Sequence, residues 1–399
     1  MTNRLPIRGG RALIGWIPMG SRVARSEKPL GLLDLDGLGR LVSVLRDSGH
    51  KVIGPTVEGG AVVYGEIAGA ADLPAGWRSR QDAGSYRLER RADAARFGYV
   101  AAVESWKRHL FRPSRTLWQA EAREGGFAIR QPDEPAPKMA FLGVRACEIA
   151  GMELQDRVFL AGDRPDPDYT ARREAAFVVA VQCTEAGETC FCASMGTGPG
   201  VQSGYDLALT ELIGEGRHVF LVEAGSDRGA AIARHLPLSP ASEDDRAEAK
   251  AGTAAAACSM GRRLETEGLK DLIQANQDHP HWQQVAERCL ACTNCTAVCP
   301  TCFCHTTEDA VALDGQSAER RQRWDSCFSL DFSHLTHGPV RQSVDARYRQ
   351  WMSHKLAHWV DQFGDFGCVG CGRCIAWCPA GIDITAEAAA LRQAVEGEE

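Results

Sequence analysis

Residues 288–307 read RCLACTNCTAVCPTCFCHTT and hold six cysteines. Four of them, Cys289, Cys292, Cys295 and Cys299, follow C-x2-C-x2-C-x3-C, and Pro300 comes next. Residues 367–379, GCVGCGRCIAWCP, repeat that spacing with Cys368, Cys371, Cys374 and Cys378 and again end in Cys-Pro. This spacing suits a [4Fe–4S] cube: three cysteines at two-residue gaps let one loop reach three irons, and the fourth opens a helix. Proline is at home in that first helical turn, where no backbone donor is required. In two-cluster ferredoxins the fourth cysteine crosses to the other cube. One cube would then take Cys289, Cys292, Cys295 and Cys378, and the other Cys368, Cys371, Cys374 and Cys299. The long insertion between the runs leaves that crossing for the fold to decide. Structural zinc also uses C-x2-C pairs, but two complete four-cysteine runs fit cubes better.

A second cysteine group lies far upstream. Cys147 falls in a strand-to-helix turn (LGVRACEIAG), Cys183 ends the apolar run FVVAVQC, and Cys190 and Cys192 follow in CTEAGETCFC. Turns after strands of an α/β sheet gather on one edge, where ligands bind. These four thiols are candidates for a third [4Fe–4S] cluster; the alternative is that some are small buried apolar groups. Cys302, Cys304 and Cys327 read as buried structural thiols beside the first run, and Cys258 receives no role.

The 16 cysteines and the net charge of −7 restrict the functional class. A reducing compartment does not favour a disulfide framework, so metal ligation leads. The acidic balance argues against a nucleic-acid face, which needs a basic stripe. No apolar run reaches bilayer length, and MTNRLPIRGGRALIGWIP lacks the apolar core of a secretory signal. We expect a cytoplasmic protein without a membrane span and without a nucleic-acid partner.

The order of segments implies an α/β N-terminal domain over residues 1–237, carrying the possible third cluster. Helix, glycine and strand succeed one another in GRLVSVLRDSGHKVIGPTV, and KMAFLGVRACEIAGMELQDRVFL and RHVFLVEAGSDRGAAIARHLP read as strand–turn–helix. Residues 238–280 read as a linker with a short helical segment. Residues 281–399 read as a mainly α C-terminal domain containing a split two-cluster ferredoxin-like module, with few strand signals. Within it Val344, Tyr348, Trp351, Met352, Trp359 and Phe363 mark one apolar helix face, and Gly364 is placed to stop that helix.

Other features carry less chemistry. His354 and His358 stand four apart but lack a third ligand, so they read as helix surface. GTGPG (196–200) has neither the G-x-G-x-x-G order nor a Walker lysine and reads as a tight turn. The basic, aromatic-laced stretch 85–113 is a candidate docking or anion-facing surface. No complete dinucleotide fingerprint, P-loop or D-P-C nickel-site element occurs, and Cys183 to Cys190 is too wide for a sirohaem pair.

FLGVRACEIAGMELQDRVFL, VQCTEAGETCFCASMGTGPG, CTNCTAVCPTCFC, WDSCFSLDFSHLTHG and RYRQWMSHKLAHWVDQFGDFGCVGCGRCIAWCPAGIDI together resemble the iron–sulfur β subunit of cytosolic sulfhydrogenases, the NAD(P)-linked [NiFe] hydrogenases. The A subunit of anaerobic sulfite reductase is similar. The resemblance spans most of residues 85–385. It implies an electron-transfer subunit with [4Fe–4S] clusters, without substrate chemistry of its own. Its partners would be a flavin-bearing NAD(P)H reductase subunit and either the small and large [NiFe] hydrogenase subunits or a sulfite reductase subunit. Two other readings are an independent sulfur-compound reductase, using an incompletely ligated cluster in the α/β half, and a zinc-stabilised scaffold.

Overall fold

The computed structural model describes residues 30–398, except 133 and 215. Its strands of three or more residues, in chain order, are β1 (Gly31–Leu33), β2 (Lys51–Glu58), β3 (Ala61–Glu66), β4 (Trp77–Asp82), β5 (Ser85–Arg90), β6 (Ser114–Arg123), β7 (Gly126–Arg130), β8 (Met139–Val144), β9 (Phe177–Val181), β10 (Leu207–Gly214), β11 (Arg217–Ala224), β12 (His305–Val311) and β13 (Ser317–Trp324). Seven of them form one sheet in the order β1-β11-β10-β9-β8-β2-β3. Its centre is parallel, with β2, β8, β9 and β10 side by side, and its edges are antiparallel. Every residue of β8 and β9 is buried, which is why both read as unbroken apolar runs rather than alternating ones.

The crossover helix Ala146–Phe159 leaves directly from the end of β8. The loop 182–206 that follows β9 carries the remaining upstream cysteines. Both therefore sit at the carboxyl ends of parallel strands. The stretch between the halves is helical over Glu243–Cys258, where Ser242 and Asp245 form a reciprocal N-terminal cap, and again over Leu269–Ala275.

The C-terminal half is helical around the two cysteine runs, but it is not without strands. β12 and β13 form a hairpin, and β13 pairs antiparallel with β6, giving a second sheet β12-β13-β6-β7. The expected scarcity of strands is thus corrected: the insertion between the runs reaches back and joins its hairpin to residues of the first half. The same insertion supplies the helix Val344–Ser353, a π turn at His354–His358 and the helix Trp359–Phe363, stopped by left-handed Gly364 at φ 75°. Tyr348, Trp351, Met352, Leu356, Phe328 and Trp282 from this region form a second buried core around the runs. No helix among the described residues is long and apolar enough to cross a membrane.

Candidate metal centre

Each cysteine run bends twice through left-handed backbone and then enters a one-turn helix. In the first run Ala291 and Thr293 have φ of 48° and 69°, ahead of the helix Asn294–Ala297. In the second run the equivalent Gly370 and Gly372 have φ of 64° and 73°, ahead of Arg373–Ala376. These bends turn the sulfurs of each run towards a common centre.

The sulfurs gather across the runs. Cys289, Cys292, Cys295 and Cys378 line one cavity, whose edge Cys374 also reaches, walled by Phe328, Tyr348, Trp351 and Ile382. Backbone N–H groups point at two of them: Ala291 N lies 3.4 Å from Cys289 Sγ, and Ile382 N lies 3.3 Å from Cys378 Sγ. Burial, then the neighbouring sulfurs of Cys289, Cys378 and Cys292, push the Cys295 thiol up, against the pull of Lys355. Cys299 joins the other set. Burial and then Cys368, Cys371 and Cys299 push Cys374 up, and burial pushes Cys368 up to about 12, with Cys371 and Cys299 adding to it.

Such an array favours a cation. Closely set buried thiols resist ionising one beside another, and a bound metal core removes that cost by supplying the positive charge. Among the described residues no three His, Cys, Asp or Glu side chains close around a single metal ion. A cube, by contrast, distributes its ligands over four irons. The all-thiol donor sets and the cavity between them fit that group.

Cys299 differs from its neighbours. The Cys302 thiol donating to it, and the ammonium groups of Lys355 and Lys107, hold its thiol well below the ordinary range despite burial. Lys355 Nζ lies 3.1 Å from Cys299 Sγ. Lys107, also buried, donates to the carbonyls of Thr296, Ala297 and Cys302 and lies 4.0 Å from the Trp324 ring centre. Cys304 and Cys327 form a separate pair in which the Cys327 thiol holds Cys304 down at about 7. Cys258 is exposed.

The upstream group lies against the second run. Burial comes first in raising the thiols of Cys147, Cys190 and Cys192, and Cys371 adds to all three. Cys190 and Cys192 also feel Cys183, and Cys147 feels Cys192. The backbones touch: Phe191 N donates to Gly370 O at 2.9 Å, and the Thr197 hydroxyl donates to Val369 O at 2.7 Å. The glycine-rich turn 196–200 closes over this group, since a Cβ on Gly198 would come within 3.0 Å of Cys192 Sγ.

One buried ion pair fastens the two halves here. Glu148, next to Cys147, pairs with Arg373, which stands between Cys371 and Cys374. The carboxylate also accepts from Tyr64 Oη at 2.9 Å, Trp106 Nε1 at 3.1 Å and its own helix-capping Arg145 N at 3.0 Å, so its acceptor sites are filled. Arg373 Nε donates to Ala102 O at 2.9 Å. Neither Glu148 nor Arg373 is visible in any motif. Lys355 was missed as well, although a signal for it exists: it stands at the helical step between Met352 and Trp359, a cation on an apolar stripe.

Two minor expectations are changed by the fold. His354, expected on the helix surface, is half-buried and packs edge-on against Phe303. The basic stretch 85–113 is largely satisfied within the chain: Arg91 pairs with Asp93 and Glu185, Arg112 with Asp168, and Lys107 is buried.

Comparison with known proteins agrees with this geometry. Residues 288–382 match the model of the 4Fe-4S dicluster domain. Sulfhydrogenase 2 subunit beta of Pyrococcus furiosus is 32% identical over 307 residues, covering 75% of this chain and 86% of that protein. No solved structure matches significantly.

Proposed function

The chain belongs to the family of the sulfhydrogenase beta subunit, and from that premise we propose that it is an electron relay carrying three [4Fe–4S] clusters. The ligands are Cys289, Cys292, Cys295 and Cys378 for one cube, Cys368, Cys371, Cys374 and Cys299 for the next, and Cys147, Cys183, Cys190 and Cys192 for the third. The observation that carries the reading is the exchange of fourth cysteines, with Cys378 lining the cavity of the first run and Cys299 set among the sulfurs of the second. When bound, each cube takes up and gives back a single electron. The protein's part is to hold the thiols, exclude water and fix the spacing. Cys371, bordering the upstream group, puts the three sites in a row with the second-run cube in the middle.

The first run forms the outer end of that row, because Cys292 and Leu290 are exposed there. A flavin-bearing NAD(P)H reductase subunit and the small and large subunits of a [NiFe] hydrogenase are the partners we assign to the two ends. The name of the relative favours these over a sulfite reductase subunit, and purification of the native complex distinguishes them by the nickel or sirohaem that accompanies the chain.

Anaerobic loading of the chain with iron and sulfide should give roughly twelve irons, three cubes of four. Cys190→Ser should lower the count by about four while leaving the other eight. Zinc in place of iron would overturn the relay. An iron count near eight that Cys190→Ser does not change would remove the third cluster alone.

A further inference from the structure

The first cysteine run and the second are joined at one buried side chain. Lys355 lies on the apolar face of the insertion helix, at its π turn, and is 5% exposed. Its ammonium has three donors and no carboxylate partner among the described residues. Its acceptors are Cys299 Sγ at 3.1 Å and Thr301 Oγ1 at 3.2 Å. The Thr301 hydroxyl in turn donates to Gly367 O at 2.7 Å, and Gly367 N donates back to Lys355 O at 2.8 Å. A hydroxyl has one proton. Because a carbonyl can only accept, that proton is committed to Gly367, so Thr301 Oγ1, 3.1 Å from Cys299 Sγ, has none to offer the sulfur. Lys355 is therefore the cationic donor on Cys299, with the Thr301 backbone N–H a longer contact at 3.4 Å.

The environment of the first-run sulfurs is different. Around the cavity of Cys289, Cys292, Cys295 and Cys378, backbone N–H groups donate to Cys289 and Cys378, and aromatic rings stand in the walls. Reduction adds one negative charge to a cube and its thiolates. A hydrogen-bonded cation on a ligand sulfur stabilises that added charge, and such contacts are among the protein's levers on cluster potential.

We propose that Lys355 sets the potential of the cube held by Cys368, Cys371, Cys374 and Cys299 above that of its first-run neighbour, so that of these two the second-run cube holds the electron. This rests on the ligand assignment given under Proposed function. Its test is a redox titration of the iron-loaded full chain, followed by electron paramagnetic resonance. Lys355→Met keeps the stem and removes the charged donor. It should shift one cube to lower potential by at least tenfold in its reduction equilibrium, about 59 mV for one electron, with a smaller shift at the first-run cube, whose Cys295 the ammonium also reaches. Lys355→Arg, which keeps a charged donor, should recover most of that shift. Unchanged potentials in a fully loaded Lys355→Met chain, or an equal shift of every cube, would overturn the proposal. If Lys355→Met fails to load, Lys355→Gln takes its place, with the same two outcomes deciding. Failure of the ligand assignment is distinguishable, because Lys355→Met would then shift the cube whose signal Cys292→Ser removes, instead of the cube whose signal Cys371→Ser removes.

Discussion

Two stretches of this chain share a spacing and little else. The run at 288–300 lies at the surface: Leu290 is 68% exposed and Cys292 is open to solvent. Its counterpart at 367–379 is enclosed, with Val369, in the place of Leu290, at 2%. The hairpin of β4 and β5 covers it, Gly84 N donating to Ile375 O at 3.1 Å and Tyr86 stacking on Trp377. The loop 189–192 and the pair Glu148–Arg373 complete the enclosure. One motif thus serves as a terminus in one place and as an interior station in the other. What separates them is the company each keeps, since the ligand spacing is identical.

The largest expected effect breaks the enclosed run while sparing the open one. Both runs need left-handed backbone, but only the second has another chain segment pressed on it. A Cβ on Gly372 would meet Thr189 O at 2.3 Å, and one on Gly370 would meet Phe191 C at 2.6 Å. Neither neighbour is a flexible tip that can move aside. Gly372→Ala should therefore separate loop 189–192 from the second run, costing several kcal/mol. Iron counting should show loss from the second-run and upstream sites together. Full iron content with an unchanged melting temperature would show that the close approach has no structural weight.

Next in size is the ion pair. Glu148→Gln leaves the Arg373 charge buried without a counter-charge, and removing one member of such a pair costs about 3–5 kcal/mol. The residue of the first run at the place of Arg373 is Asn294, whose amide donates to Trp377 O at 2.7 Å. Asn294→Ala should cost only about 1 kcal/mol, one neutral hydrogen bond. Chemical denaturation of the two variants measures the contrast directly, and equal losses would remove the distinction between the runs.

The sequence exposes the ligands far better than it exposes this difference. C-x2-C-x2-C-x3-C-P is a local pattern, and local patterns survive without knowledge of the fold. The strands β8 and β9 were legible for the same reason, as continuous apolar runs bounded by turns. The hairpin β12–β13 was not. HTTEDAV and SAERRQRW carry polar groups on both faces, so no alternation marks them as strands, and their partner β6 lies nearly two hundred residues upstream. Glu148 and Arg373 meet over a similar separation. A single sequence holds no signal for such a contact. Lys355 is the intermediate case: the helical stripe was seen, and the cation on it is the anomaly that points inward.

Acid should also divide the two regions. His109, packed between Trp106 and Phe141 in the α/β half, is driven by burial down to about 4 from an ordinary 6.5. Between those values the unfolded chain binds a proton that the folded chain refuses, so stability falls as pH falls through that window, by up to about 3 kcal/mol. Beside the open run the sign is the same but the window is lower. Burial works against Glu387, yet the His281 ring 3.3 Å away and the hydrogen bond from Arg288 hold its carboxyl below 4.5, and that stabilisation is lost only as pH drops further. Melting temperatures from pH 7 to pH 4.5 should therefore decline in the parent chain and stay flatter in His109→Phe. Parallel declines in both would remove His109 as the cause.

The smallest effect tests the open run on the feature that makes the enclosed one fragile. Thr293 and Ala291 occupy left-handed backbone that glycine fills at the equivalent Gly372 and Gly370. For a residue with a Cβ that conformation costs roughly 1–2 kcal/mol, while glycine brings extra freedom to the unfolded chain that costs about 0.5–1 kcal/mol on folding. The two terms nearly cancel. Thr293→Gly should therefore change stability by less than about 1 kcal/mol, in the stabilising direction, with iron content unchanged. A denaturation midpoint that rises slightly, beside the collapse expected of Gly372→Ala at the matching position, would locate the constraint in the packed neighbour and not in the turn. A large loss in Thr293→Gly would instead mean that the threonine side chain holds the open loop in shape, and the two runs would then differ in their own rigidity as well as in their surroundings.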